Sequence, residues 1–244
     1  MDSGQLLSVL LIAGAGLIVL TTYPYLATGI AYRDRDNGLS YILFLMGVAV
    51  WNGLFAAQAL DPRPIVKGFF FSIATLGAVL AGLGWLLFAS TASSTPLLDR
   101  RRLVYRVVAL LAGIDITLAI TTPTHSLYWT VTATPSVSLA FTDIVPNVGY
   151  WLHTVFLTAL FGAGATLFGR AWQNGTDVAY TRLYTLAGFT TAVAILGSSV
   201  LLSGTTSIAP LAAGSLTTIG WIQAQQKRYL RLPRPYRWLS NLLR

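Results

Sequence analysis

Cysteine is absent from the 244 residues, and so is glutamate: all eight acidic side chains are aspartates. The first absence excludes disulfides, thiolate metal sites and cysteine nucleophiles. The second removes glutamate proton relays and the usual paired carboxylates of acid–base chemistry. With only two histidines beside these aspartates, no dedicated transition-metal site is expected, and nothing calls for a cofactor. Charge of either sign is scarce, at 10% of residues against about 25% in soluble domains. What fills the chain instead is apolar: 55% of residues are hydrophobic and the mean hydropathy is +0.65. That balance describes an integral membrane protein. The net charge of +8 then reads as loops meeting anionic lipid headgroups, with no nucleic acid among the partners.

Spanning the hydrocarbon takes about 20 apolar residues, and seven runs qualify: 5–31, 39–60, 65–89, 103–121, 148–169, 180–203 and 207–225. The first follows Met1-Asp2-Ser3-Gly4, which has no basic region, and is too long for a signal-peptide core of about 7–15 residues. It reads as a retained transmembrane helix. Backbone polar groups find no water in the bilayer, so helices are the default. The expected fold is therefore all-α, a polytopic seven-transmembrane bundle in the cell membrane. The basic residues sort cleanly between its two sides. Only Arg63 and Lys67 fall on the side of the N-terminus, and the other fourteen of the sixteen fall opposite. By the positive-inside rule the N-terminus is outside and the C-terminus inside. Residues 1–226 form the seven-helix domain, and 227–244 a basic cytoplasmic tail.

That tail alternates Lys227, Arg228 and Arg231 with Leu, Tyr and Trp, as an interfacial segment does. Together with Arg100, Arg101 and Arg102 it forms the surface expected to meet lipid or a cytoplasmic partner. Small residues recur in the third helix (Ala74, Ala78, Gly82) and mark the fifth (Gly162, Ala165, Gly169). Such faces let helices approach closely, within one bundle or between two copies of a homodimer. Pro24 and Pro210 are positioned to interrupt the first and seventh helices. The longest loop, Thr122–Asn147, carries Tyr128, Trp129 and Phe141, and part of it is expected to fold over the outer mouth.

Polar side chains collect in the outer half. Asp115 lies seven residues before Thr122, about 10 Å deep, and His153 five after Val148, about 7–8 Å deep, at 1.5 Å per residue. Asn52 and Gln58 sit in the outer part of the second helix. A buried carboxylate is costly and faces a partner or a pathway. Three roles are open to Asp115: fixing helix register through His153 or Asn52, lining an outward-facing pocket, or relaying protons. The pocket hypothesis sets Asp115, Asn52 and His153 as its floor, with His125 and Trp129 in the loop above, around an unknown small ligand.

The run T-T-P-T-H-S-L-Y-W, residues 121–129, resembles the N-P-x-H-x-L-x-W signature after the fourth helix of the N-terminal seven-transmembrane sensor domain of prokaryotic histidine kinases. Trp51 with Ala59-Leu60 resembles that family's W…A-L pattern, Trp85–Ala89 its W-x-x-F-A, and Leu98–Arg102 its basic turn into the fourth helix. Thr122 stands where the family usually has Asn. The chain stops at Arg244, and nothing in it resembles a phospho-acceptor histidine box or an ATP lid. The resemblance thus implies a sensor or receptor module, with no enzymatic activity, whose output passes through a separate cytoplasmic signalling protein. A small-solute transporter or channel is the alternative. A retinal photoreceptor is excluded, because it needs a Schiff-base lysine in the seventh helix and residues 207–225 contain none.

Overall fold

The computed structural model describes residues 3–31, 38–93, 102–131, 144–175, 178–201 and 207–226. The apolar runs fold as seven helices: α1 (Ser3–Ala31), α2 (Gly38–Leu60), α3 (Pro64–Ala92), α4 (Arg102–Thr121), α5 (Val148–Gln173), α6 (Val178–Leu201) and α7 (Ala209–Gln226). Five of them, α1, α2, α3, α5 and α6, contain stretches long and apolar enough to cross a membrane. α4 has 20 residues, about the length that spanning requires. The all-α expectation needs one addition. Residues 122–124 form a 3-10 turn, and two short antiparallel strands follow, β1 (Trp129–Val131) and β2 (Ile144–Pro146), with Trp129 opposite Pro146. Strands of three residues carry too little alternation to show in the sequence.

Neither proline breaks its helix. α1 runs through Pro24, and Pro210 lies in the first turn of α7, where a missing N–H would have had no helical partner anyway.

The helices pack mainly on their chain neighbours, and α1 closes the set against α7. α3 also packs directly on α5, which leaves α4 at the margin against both. Leu103, Val107, Leu110 and Ile114 of α4 are accordingly exposed, as residues meeting lipid tails are. α2 and α3 approach until their backbones touch. A Cβ added at Gly84 would lie 2.2 Å from the Phe44 nitrogen, and one at Gly47 2.1 Å from the Ala81 nitrogen. The stripe read from sequence does different work. Ala74 and Ala78 are buried, and Gly82 faces Leu157 and Leu160 of α5, so this face of α3 serves packing within the bundle. Gly162, by contrast, opens onto space.

The core of the bundle centres on Trp85, which is fully buried among Phe44, Phe161, Phe168 and Tyr184. Its indole N–H donates to the Phe161 carbonyl at 3.1 Å. A Cβ at Gly164 would stand 2.3 Å from Trp85 Nε1, so this glycine is what lets the indole reach α5. An apolar body with one satisfied donor suits Trp to such a position.

Candidate functional site

The polar groups gather where the strands sit, at the end of the bundle shared by the α2–α3, α4–α5 and α6–α7 connections. Asp115, on α4, is buried and has both carboxylate oxygens taken. Oδ1 accepts the Tyr128 hydroxyl and Oδ2 meets His153 Nδ1 on α5 at 2.7 Å. Burial and the adjacent carboxylate push the Tyr128 phenol far above its usual range, so it stays protonated and donates. The sequence placed Asp115 and His153 at one depth, and they do pair. Tyr128 was hidden at a variable position of the run that carries the family resemblance.

The loop is moored to this pair. Leu127 and Tyr128 carbonyls accept the Gly149 and Asn147 N–H groups, each at 3.0 Å. A Cβ at Gly149 would lie 2.7 Å from the Tyr128 ring, so glycine there admits the tyrosine. Trp129 is buried, edge-on to Tyr128 at 4.6 Å and to Phe71 at 4.7 Å. The loop's first residues thus tuck into the end of the bundle, while Phe141 lies outside the described residues. His125 serves the turn. Nδ1 accepts the Leu127 N–H at 3.3 Å and Nε2 lies 2.9 Å from Thr121 Oγ1. Thr121 donates to the Thr117 carbonyl, so its oxygen is the acceptor and the imidazole proton is assigned to Nε2.

Asn52 faces elsewhere. Its Nδ2 donates to the carbonyls of Val48 at 2.9 Å and Pro210 at 3.0 Å, tying α2 to the start of α7. Of the five residues proposed from sequence as an outer pocket, only His153 lines the cavity found at this end. Asp115 stands behind it, and His125 and Trp129 hold the loop. Arg100, Arg101, Lys227, Arg228 and Arg231 lie outside the described residues, and Arg102 opens α4.

The cavity lies among α2, α3, α5, α6 and the entry to α7, with a volume of about 60 Å³ and a partly open mouth. One wall is aromatic, from Trp51, Phe55, Phe71 and Tyr150. Another is hydroxylic, from Thr154, Ser198, Ser199 and Ser207. Gln58 also lines it, fully buried, and neither its Nε2 nor its Oε1 has a partner among the described residues. Gln58 and His153 stood out in the sequence as outer-half polar residues, and the pair Ser198–Ser199 within the apolar run of α6 is the further signal for this site. Among the described residues no group of three His or Asp side chains is placed to hold a metal.

A bundle of seven apolar helices, five of them long and apolar enough to cross a membrane, defines a multi-pass membrane protein. A family model agrees over nearly the whole chain: residues 9–224 match the N-terminal 7TM region of histidine kinase. The chain belongs to that family. No kinase domain is found within the 244 residues, and no curated protein matches the chain.

Proposed function

We propose that this 7TM region takes up a small signal molecule in the Gln58–His153 cavity, from outside the cell or from the membrane, and passes the signal to a separate cytoplasmic protein. The observation that carries the reading is the cavity itself. Polar side chains are costly within the bilayer and collect where function requires them. Here they line an open space rather than a packed interface. The N-terminus outside follows from the fourteen-to-two sorting of basic residues, which sets the cavity mouth outward and the basic stretches 100–102 and 227–231 toward the inner leaflet or a partner. The module itself performs no catalysis. Transport fits less well, because its helices are normally broken beside a midplane site, whereas α1 continues through Pro24 and Pro210 lies in the first turn of α7.

The test is cross-linked capture of the full chain from native membranes, read by mass spectrometry. Recovery of a kinase or response regulator, lost on deletion of residues 227–244, is the expected result. Recovery of the chain alone under several growth conditions would contradict the relay, and saturable flux in proteoliposomes would then favour transport.

A further inference from the structure

Gln58 is the anomaly of this cavity. Buried polar groups are nearly always hydrogen-bonded, yet both polar atoms of its amide lack a partner among the described residues, and its side chain is 0% exposed. Its neighbours do not compensate, because their protons are committed. Thr75 donates to the Phe71 carbonyl, Ser198 to that of Ala194 and Ser199 to that of Ile195. Ser207 already accepts the Ala209 N–H and lies 2.9 Å from Ser198. The hydroxyl wall therefore offers oxygen lone pairs, and the Gln58 amide is the free donor–acceptor pair.

Charge is equally restricted. The lining imidazole, His153, is already matched to the Asp115 carboxylate, whose second oxygen is held by Tyr128. Among the described residues lining the cavity no lone counter-charge is left for an ionised ligand, and desolvating one without a partner is expensive. The aromatic side of the cavity gives a flat ring something to lie against.

We infer that the cavity takes a small neutral ligand with a cis-amide edge, such as a lactam or cyclic imide on a flat apolar body. Its N–H donates to Gln58 Oε1, its carbonyl accepts from Gln58 Nε2, and its ring lies against the wall of Trp51, Phe55 and Phe71. The inference rests on the sensing reading above and adds the ligand class. A Gln side chain and a cis-amide are mutually complementary: each presents one N–H and one C=O side by side, so two parallel hydrogen bonds form.

Three probes of one shape separate the possibilities: oxindole, with the cis-amide; N-methyloxindole, without the N–H; and indane, without either polar group. Thermal unfolding of the full chain in lipid nanodiscs is followed with each. Oxindole is expected to raise the Tm, and N-methyloxindole to need at least about tenfold more for the same shift, since it leaves Gln58 Oε1 unpaired. Gln58→Leu, with Gln58→Met as a second variant should the first not fold, is expected to abolish the difference between the two lactams. Equal shifts from all three probes would overturn the cis-amide reading while leaving the cavity a binding site. No shift from any probe, or a preference for oxindole that survives in Gln58→Leu, would overturn it too. The relay itself stands or falls separately on the capture experiment, which uses no added probe.

Discussion

Replacing Tyr128 by Phe is the sharpest probe of the Asp115 cluster. The ring stays, keeping its edge-on contact with Trp129 at 4.6 Å and its fit over Gly149. Only the hydroxyl that donates to Asp115 Oδ1 is lost. Tyr128 is fully buried and Asp115 is 8% exposed, so water has poor access to replace the donor. A hydrogen bond to a charged acceptor contributes about 1.5–3 kcal/mol, whereas neutral bonds between helices in membranes average only about 0.6 kcal/mol. An unfolding free energy lowered by about 2 kcal/mol, roughly thirtyfold in the folded-to-unfolded ratio, is therefore expected in a reversible SDS titration in mixed micelles. The partner substitution Asp115→Asn completes a double-mutant cycle. With the carboxylate gone, Tyr128→Phe should cost clearly less, giving a coupling energy of about 1 kcal/mol or more. Because Tyr128 moors the turn to α4, amide exchange across 122–131 should also quicken in the variant. A single-mutant cost below about 0.5 kcal/mol with no coupling would refute the assignment of the pair as a buried, charge-assisted bond.

Three further substitutions test other parts of the structure. Trp85→Ala should destabilise the chain by about 3–5 kcal/mol through the cavity it leaves, and Trp85→Phe by less, since most of the aromatic packing survives; a thermal series on the two variants reads the order. Gly84→Val puts side-chain atoms where the α2 backbone lies, 2.2 Å from its Cβ; it should abolish monodisperse folded protein in size-exclusion chromatography, whereas Gly162→Ala, which meets nothing within 4 Å, should not. Asp61, in the α2–α3 connection, is held down to about 2 by hydrogen bonds from Arg63, from an ordinary 3.8. Its folded pKa is depressed, so its contribution is present above about pH 4 and is lost as the pH falls through about 2; stability measured across that window should lose this slope in Asp61→Asn.

The helices were legible because each span is a long apolar run whose ends carry charge or turn residues. α2 and α4 end within a residue of the ranges read from sequence, while α3 and α5 continue three and four residues further. Depth was legible too, since rise per residue is fixed, and it correctly brought Asp115 level with His153. Rotation about the helix axis was not. Asn52 shares the outer half with Asp115 but turns toward Pro210, because facing depends on which helices neighbour which. Gln58, six residues on, points into the cavity instead. That cavity draws its lining from five helices, an arrangement no local pattern encodes. Tyr128 illustrates a second limit: it reaches Asp115 only because β1 pairs with β2 and the chain turns back at Leu127.

The measurement that bears most directly on an outward-facing signal cavity exploits the lack of native cysteine. Single cysteines are placed at Ser207, which lines the cavity, and at Gln173, the last residue of α5 at the opposite end. Intact cells are then treated with a membrane-impermeant maleimide. The account predicts that Ser207→Cys is labelled in intact cells and Gln173→Cys only after permeabilisation. Labelling of Gln173→Cys alone in intact cells would invert the bundle, put the cavity on the cytoplasmic side, and contradict the proposed sensing of an external signal.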